Sequence, residues 1–213
     1  MLGEEEIVWV VLFMEGDSRG ALQVYGLLTD VLGGINEARL ANITRKKVPE
    51  LELVKKVRQK LEQRLGQESV FGPRKGVHEK FKVVHHLKQP DVDLGFWYGG
   101  MLHGLEFKLL RKGWSFYAGL DEALAYSTWG VNFSWIIHFH RKNFKLAGDY
   151  EKWMKYAIQQ SGCPSIGYIT CTSREQKLVV LPVVPFKTGL DRDLDEIVHK
   201  VREKVFKRER RTK

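Results

Sequence analysis

Hydrophobic and polar residues alternate with a period of two along residues 90–110, on both sides of Gly99-Gly100. A glycine pair between two such runs is a strong signal for a two-residue β-hairpin, because glycine reaches the positive φ angles that these turns require. A hairpin with this turn predicts that Leu94 pairs with Leu105 and that Asp93 lies opposite Glu106. We therefore expect a central hairpin that carries two opposed carboxylates.

The same alternation divides the hairpin into an apolar face and a polar face. The expected apolar face consists of Val92, Leu94, Phe96, Leu105, Phe107 and Leu109. The expected polar face consists of Asp91, Asp93, Gly95, Trp97, Leu102, Gly104, Glu106 and Lys108. Opposed like charges repel, so the carboxylates need a nearby cation, which Lys108 supplies in part and a divalent metal would complete. Asp91 and Asp93 share this face, so the pairing register decides which of the two aspartates lies opposite Glu106.

Helical and strand periodicities predict further elements on both sides of the hairpin. Before the hairpin these are a buried strand at 5–14, a helix from Ser18 to Gly33, a short helix at 36–44, a helix at 49–65, a polar loop at 67–76 and a strand at 81–87. After the hairpin they are a helix at 117–128, a strand at 134–140, a helix at 149–161, strands at 166–171 and 178–184, and an amphipathic helix from about Asp191. The first three helices could form a helix-turn-helix-like unit, but packing against the core is the favoured interpretation.

Apolar residues at helical spacing predict which side of each helix is buried. The predicted buried residues are Leu22, Tyr25, Leu28 and Leu32 in the first long helix, Leu51, Val54, Leu61 and Leu65 in the second, and Leu120, Ala123 and Leu124 in the helix after the hairpin. The second helix is expected to expose its basic side, which includes Arg58. Glu122 and Tyr126 are four residues apart and should share one helix face.

The composition is that of a globular protein with a packed core: 213 residues, of which 43% are hydrophobic. No apolar run approaches the roughly 20 residues that span a bilayer, and acidic residues precede the apolar stretch at 7–14, so we expect neither a membrane segment nor a signal peptide and place the protein in the cytoplasm. Cys163 and Cys171 lack a CxxC spacing and are expected to be reduced thiols.

The net charge of +9 is unevenly distributed along the chain. Residues 41–90 contain thirteen Lys or Arg against five Glu, and residues 200–213 contain eight against two, whereas the remainder, including the hairpin, is net acidic. Basic flanks around an acidic centre favour a polyanion as partner. A solvated basic surface with a frayed tail is an equally weighted alternative from charge alone.

The order helix, strand, Asp-bearing strand, Glu-x-Lys strand, helix, strand resembles the PD-(D/E)XK nuclease superfamily, whose restriction-endonuclease-like fold includes Holliday-junction resolvases and repair and phage-type nucleases. The residues that carry the resemblance are Asp93 within Pro90-Asp91-Val92-Asp93 and the pair Glu106-Phe107-Lys108. The family's Gln-x-x-x-Tyr element is matched in part by Glu122 and Tyr126. The resemblance implies an α/β fold, with a mixed central sheet flanked by helices in α-β-β-β-α-β order at 48–187, an N-terminal extension at 1–47 and a C-terminal helix with a basic tail at 188–213.

The resemblance also implies a chemistry. Asp93, Glu106 and the backbone carbonyl of Phe107 would hold Mg²⁺ or Mn²⁺, and Lys108 would assist the attacking water. Asp91, Glu122 and Tyr126 are auxiliary candidates. An acidic residue of the first core helix joins the site in many members, and the sequence leaves three candidates open, namely Glu50, Glu52 and Glu62.

The partner implied by this reading is DNA, with RNA left open, and substrates of a particular structure in repair, recombination or restriction are expected. Candidate nucleic-acid-binding residues are Lys55, Lys56, Arg74, Lys75, Arg111 and Lys112. Because cleavage of both strands of a duplex needs two sites, a homodimer is a further expectation. The alternative function is a nucleic-acid-binding protein of the same fold without activity, and a purely structural role is a third.

Three other patterns are weaker. Histidines at 85, 86, 138 and 140 raise the hypothesis of a zinc site, but without Cys or carboxylates at matching spacing we favour core or edge histidines. A second Glu-x-Lys, Glu175-Gln176-Lys177, falls in a predicted polar turn and is given no function. Aromatic residues near the hairpin, among them Trp97, Trp114, Tyr117 and Trp129, are candidates for base stacking, although such positions are more often core.

Overall fold

The computed structural model describes residues 17–33, 35, 49–72, 92–110, 116–128, 131–140, 144–172 and 175–186. The predicted elements at 5–14, 36–44 and 81–87 and the predicted C-terminal helix lie outside these residues. None of the helices in the described ranges is long and apolar enough to cross a membrane.

The described residues form four α-helices and one six-stranded sheet, together with a short 3₁₀ turn. The helices are α1 (Asp17–Gly33), α2 (Pro49–Leu65), α3 (Leu120–Thr128) and α4 (Ala147–Ser161), and the strands are β1 (Val70–Phe71), β2 (Leu94–Tyr98), β3 (Met101–Leu109), β4 (Phe133–Phe139), β5 (Ile166–Cys171) and β6 (Gln176–Val180). The strand order across the sheet is β1-β2-β3-β4-β5-β6. The β3–β4 and β4–β5 pairs are parallel and the others are antiparallel. The expected α/β class with a mixed sheet is confirmed.

The β2–β3 hairpin has the register that the glycine pair predicts. Gly99 and Gly100 have φ angles of 58° and 77°, which a residue with a Cβ rarely adopts. Tyr98 pairs with Met101, and the ladder continues outward to Leu94 opposite Leu105. The turn therefore fixes which side chains of β3 face each side of the sheet.

Helices cover both faces of the sheet. Apolar residues of α1 and α2 form one cluster with Leu105, Phe107 and Leu109 of β3. Residues of α3 and α4 form a second cluster with Ile136 and Tyr168, which point to the opposite face. Glu106 and Lys108 alternate with the first set and so face the α3 and α4 side.

The buried sides of α1 and α2 agree with the prediction in part, at Leu28, Leu32, Val54 and Leu61. In α1 the fully buried residues are Ala21, Val24, Leu28, Val31 and Leu32, and in α2 they include Leu53, Val54, Val57 and Leu61. Leu22, Tyr25, Leu51 and Leu65 are half-buried instead. Small and β-branched residues can also face a closely packed sheet. The size of an apolar side chain was therefore not sufficient to predict which helix residues are fully buried.

Arg58 was expected on an exposed face and is instead 4% exposed. Its guanidinium donates to Glu62 Oε1 at 2.8 Å and to the carbonyl of Val70 at 3.3 Å. The prediction was wrong because residues 70 and 71, placed in a polar loop by sequence, form β1 and cover this side of α2. The charge on Arg58 is thereby used to fix β1 against the helix.

The strand β5 has its predicted bounds, but the strand after it ends earlier than predicted. The strand expected at 178–184 is β6, Gln176–Val180, and Val183 and Val184 are exposed. Pro182 lacks a backbone N–H, so it cannot donate to a continuing ladder. Both cysteines are free, as predicted, with Cys171 buried and Cys163 half-buried.

Candidate functional site

The candidate site lies where β2 stops and β3 continues. The ladder between them ends at Leu94 opposite Leu105, so residues 106–109 of β3 extend past β2. Asp93, the residue before β2, turns its carboxylate toward this edge of β3, where Oδ2 accepts a hydrogen bond from the backbone N–H of Phe107 at 2.9 Å. The ladder ends one residue before Asp93 and Glu106, the pair that the predicted register places opposite each other, and the Asp93 side chain accepts the hydrogen bond from β3. The two carboxylates are close enough for Asp93 to raise the pKa of Glu106.

A second carboxylate reaches the same edge from the first core helix. Glu50, in the first turn of α2, accepts a hydrogen bond through Oε1 from the backbone N–H of Leu109 at 3.1 Å. Alternate residues of a strand direct their backbone groups to the same side, so the carbonyl of Phe107 lies between the two carboxylate-bound N–H groups. Asp93, Glu50 and the Phe107 carbonyl thus present oxygen atoms along one edge.

The structure distinguishes the three acidic candidates of α2. Glu52 is paired with Lys55 at 3.3 Å, and Glu62 is paired with the buried Arg58 at 2.8 Å. Both pairs are local contacts along the helix surface. Glu50 is the one of the three that bonds to β3, a choice that sequence spacing left open.

Glu106 and Lys108 form the other half of the site on the α3 side of the sheet. Glu106 is 2% exposed and is hydrogen-bonded to the ammonium of Lys108 and to the hydroxyl of Tyr126. Lys108 also donates to Glu122 Oε1 at 3.1 Å. The prediction that Glu122 and Tyr126 share a helix face is confirmed, and both side chains contact the Glu-x-Lys pair.

The carboxylates hold their protons more tightly than usual. Burial, followed by repulsion from Asp93, raises the pKa of Glu106 to about 8 despite the attraction of Lys108. Burial also raises the pKa of Asp93 to about 6, against the stabilising effects of the Phe107 N–H and Lys108. Repulsion between these groups means that a cation entering the site would stabilise both charged forms.

The cationic and phenolic groups are shifted as well. Burial lowers the pKa of Lys108, but attraction to Glu106 and Glu122 outweighs burial, so the net pKa is raised. Burial and the neighbouring Glu106 carboxylate raise the pKa of Tyr126. Burial, followed by a hydrogen bond that the protonated form of Glu122 donates to Asp121, raises the pKa of Glu122. Lys108 is thus a persistent ammonium and Tyr126 a neutral donor.

A tight turn at 116–119 covers Glu106 and Lys108. The carbonyl of Ala118 accepts from His138 Nε2 at 2.9 Å, and the Tyr168 hydroxyl donates to His138 Nδ1 at 2.9 Å. Burial lowers the pKa of His138 to about 4, which agrees with a neutral ring. The predicted zinc candidate is therefore a core histidine that holds this turn, and both of its ring nitrogens are used.

Gly119 in this turn is a position where replacement should disturb the site. Its φ of 89° is unfavourable for other residues, and a Cβ would lie 3.1 Å from Glu106 Cγ and 3.4 Å from Lys108 Cγ. We expect Gly119→Ala to lower the free energy of unfolding by roughly 1–2 kcal/mol, measured by urea denaturation. Gly148→Ala in α4 is the matched control, because a Cβ there meets nothing within 4 Å. Equal stability of the two variants would contradict this role of the turn.

Several predicted residues stand apart from the site or outside the described ranges. Lys55 and Lys56 are half-buried on α2, and Lys55 is paired with Glu52. Lys177 of the second Glu-x-Lys pairs with Glu151 on the surface. Trp97 is half-buried and Tyr117 is exposed. Those outside the described residues are Asp91, Arg74, Lys75, Arg111, Lys112, Trp114 and Trp129.

The donor atoms agree in kind with a hard divalent cation. Within the described ranges no group of three Asp, Glu, His or Cys side chains is placed to hold a metal ion by itself. Asp93, Glu106 and the Phe107 carbonyl are nevertheless oxygen donors, and Mg²⁺ is commonly held by one or two carboxylates with its remaining positions filled by water. The residues present are therefore chemically suited to Mg²⁺ or Mn²⁺.

No protein-family model, curated protein or solved structure matches this chain. The fold and the site define a class in structural terms only. It is an α/β protein whose mixed six-stranded sheet bears a cluster of carboxylates, of which Glu106 is buried, and one lysine at the end of a hairpin. Any functional assignment must therefore come from the chemistry of that cluster.

Proposed function

We propose that this chain is a metal-dependent deoxyribonuclease with a restriction-endonuclease-like core of the PD-(D/E)XK type, which hydrolyses phosphodiester bonds. The observation that carries the proposal is the convergence of Asp93, Glu106 and Lys108 at the part of β3 that extends past β2. Glu50 adds a fourth charged group from the first core helix. Acidic groups repel unless a cation joins them, and a single lysine offsets only part of this charge.

Asp93, Glu106 and the Phe107 carbonyl are the groups that would hold Mg²⁺ or Mn²⁺. When bound, such an ion polarises the scissile phosphate and lowers the pKa of a coordinated water. Burial and repulsion from Asp93 raise the pKa of Glu106, so metal binding and deprotonation of Glu106 would be coupled. Metal affinity is accordingly expected to rise with pH.

The remaining residues have roles that follow from their contacts. Lys108 carries its positive charge beside the carboxylates and would orient the attacking water and offset negative charge on the phosphate oxygens. Glu122 accepts a second hydrogen bond from the Lys108 ammonium. This bond would hold Lys108 in position if Glu106 bound a metal ion in place of the lysine. Tyr126 fixes the orientation of Glu106 through its hydroxyl. Lys108, Glu122 and Tyr126 would therefore keep the charged groups of the site in place.

DNA is the proposed substrate because strongly basic segments flank the acidic centre in sequence. Lys55 and Lys56 remain proposed contacts, as do the basic residues outside the described ranges. A structure-specific role in repair, recombination or restriction, action on RNA, homodimer formation and a cytoplasmic location remain proposals of the same kind. The restriction-endonuclease-like arrangement of the core is itself part of the proposal.

Cleavage assays with a matched pair of lysine variants test this function. Purified protein would be incubated with single-stranded, duplex and branched DNA in Mg²⁺, Mn²⁺ or EDTA. We expect metal-dependent cleavage that falls at least about 100-fold in Lys108→Met. Lys177→Met, which removes the lysine of the surface Glu-x-Lys, should cleave at the wild-type rate. Cleavage in EDTA, or equal rates for the two variants, would contradict the proposal.

A second candidate is a nucleic-acid-binding protein of the same fold that lacks activity. The observation in its favour is that Glu106 is buried and bonded to both Lys108 and Tyr126, so a metal would have to displace a partner. This candidate predicts DNA binding that weakens with salt and no metal-dependent turnover on any of the three substrates. The same assays therefore separate the two functions.

A further inference from the structure

Two aromatic side chains lie exposed next to two lysines on the outer side of α4. Trp153 and Tyr156 are 42% and 52% exposed, and their rings are nearly perpendicular with centroids 6.1 Å apart. They line a shallow cavity of about 500 Å³ together with Lys152, Lys155 and Gln159. We refer to these five residues as the α4 surface.

The α4 surface belongs to a firmly anchored helix. Tyr150, Met154 and Ile158 recur at intervals of four residues and are buried against the sheet. Burial of this side directs Trp153 and Tyr156 outward, so their exposure follows from the helical period and not from a loose segment. Large exposed aromatics on a fixed helix present a ready surface for a partner.

The charges on the α4 surface favour an anionic partner. Glu151 is turned to the other side, where it accepts from Thr170 at 3.0 Å and pairs with Lys177. Within the described residues, neither Lys152 nor Lys155 has an ion-pair partner. Two uncompensated cations beside aromatic rings would repel the strongly basic segment at 200–213 and attract phosphates.

The α4 surface also lies on the same side of the sheet as the candidate site. Helices α3 and α4 share one apolar cluster, through Ala123 of α3 and Met154 of α4. Glu106 and Lys108 face this side, and α3 supplies Glu122 and Tyr126 to them. A polymer that lies across these two helices could contact both places.

We propose that the α4 surface binds a single-stranded stretch of nucleic acid, with bases stacked on Trp153 and Tyr156 and phosphates paired with Lys152 and Lys155. Exposed rings offer a face to unpaired bases, whereas the bases of a duplex are already stacked on one another. An apolar peptide would gain nothing from the two cations. This inference builds on the proposed nuclease, because it names single-stranded DNA as part of the substrate, but binding itself needs no metal.

Binding of a fluorescein-labelled oligothymidylate of about 20 nucleotides, followed by anisotropy in EDTA, tests the inference without cleavage. We expect Trp153→Ala and Tyr156→Ala each to weaken binding about tenfold, and Trp153→Phe to retain most of it. Lys152→Gln should weaken binding and reduce its salt dependence. Arg64→Ala removes an exposed cation on α2 and should leave binding unchanged. Thermal unfolding of each variant verifies that the fold is retained.

The outcomes separate this surface from the nuclease site. Unchanged affinity in both alanine variants, equal losses for a duplex of the same length, or absence of any binding by the wild type would overturn the inference. If the wild type is a dimer and Trp153→Ala is a monomer that still binds the oligonucleotide, the α4 surface serves self-association, and the inference is overturned as well. If the wild type cleaves DNA but the α4 surface does not bind the oligonucleotide, the nuclease proposal stands and this inference is wrong. If the α4 surface binds the oligonucleotide but the wild type does not cleave DNA, the nuclease proposal is wrong and this inference stands.

Discussion

Replacing Asp93 with asparagine is expected to lower the rate of metal-dependent DNA cleavage by about 1000-fold or more. Asparagine keeps an oxygen that can accept from the Phe107 N–H, so the hydrogen bond that closes the hairpin edge should survive. The substitution removes the negative charge that a divalent cation needs. Single-turnover cleavage at saturating protein and Mg²⁺ measures the loss.

The fold should be retained in Asp93→Asn because the native carboxyl is already hard to ionise. Burial raises its pKa to about 6, so a neutral amide replaces a group that is costly to charge. Asp149→Asn, at an exposed position in the first turn of α4, is the matched control and should cleave at the wild-type rate. Cleavage by Asp93→Asn within about tenfold of the wild type would exclude Asp93 as a metal ligand.

Replacing Glu106 with glutamine is expected to stabilise the protein at alkaline pH. The pKa of Glu106 is raised from 4.5 to about 8, so between these values the folded state holds a proton that the unfolded state releases. Stability should therefore fall as pH rises through this window. Glutamine stays neutral, and we expect a gain on the order of 2–3 kcal/mol above pH 8 and little difference near pH 4.5.

Urea denaturation of the wild type and Glu106→Gln across this pH range measures the difference. Glu175→Gln, at the exposed residue before β6, is the control and should show no such gain in stability. A difference that does not vary with pH, or a less stable Glu106→Gln at pH 8, would contradict the raised pKa. Loss of cleavage together with a gain in stability would mark Glu106 as a residue kept for activity at the expense of stability.

The local pattern around Gly99-Gly100 was sufficient to predict the centre of the fold. Because the side-chain period of a strand is two and the turn needs positive φ, the register from Tyr98–Met101 to Leu94–Leu105 followed from sequence. The helical period likewise predicted that Glu122 and Tyr126 share a face. These features depend on neighbours within a few residues, which is the range over which sequence patterns are informative.

Features that depend on contacts between distant segments were not predictable. The bond from Glu50 to Leu109 joins residues 59 apart, and no spacing distinguishes Glu50 from Glu52. The 3₁₀ turn and β1 form within a segment with a polar composition because Arg58 and β2 provide partners for Val70. Asp93 was assigned to a ladder because alternation alone cannot show where a strand ends and a side chain takes over its hydrogen bond.

The role of the turn at Gly119 was also missed, for a related reason. Its importance comes from His138, which donates to the carbonyl of Ala118, and from Tyr168 on the neighbouring strand, which holds the His138 ring. Nothing in the local sequence links a glycine in a turn to a histidine 19 residues later. Only the parallel pairing of β3, β4 and β5 brings Lys108, His138 and Thr170 into one row.

A crystal of the wild-type protein soaked in Mn²⁺ tests the central proposal most directly. Soaking at a pH above about 8 keeps Glu106 ionised, so protonation cannot mask the site. We predict an anomalous peak in contact with the carboxylates of Asp93 and Glu106 and the carbonyl of Phe107, and its loss in Asp93→Asn. Absence of a peak at this position at saturating Mn²⁺, in crystals where these three groups are ordered, would contradict the proposed metal-dependent nuclease.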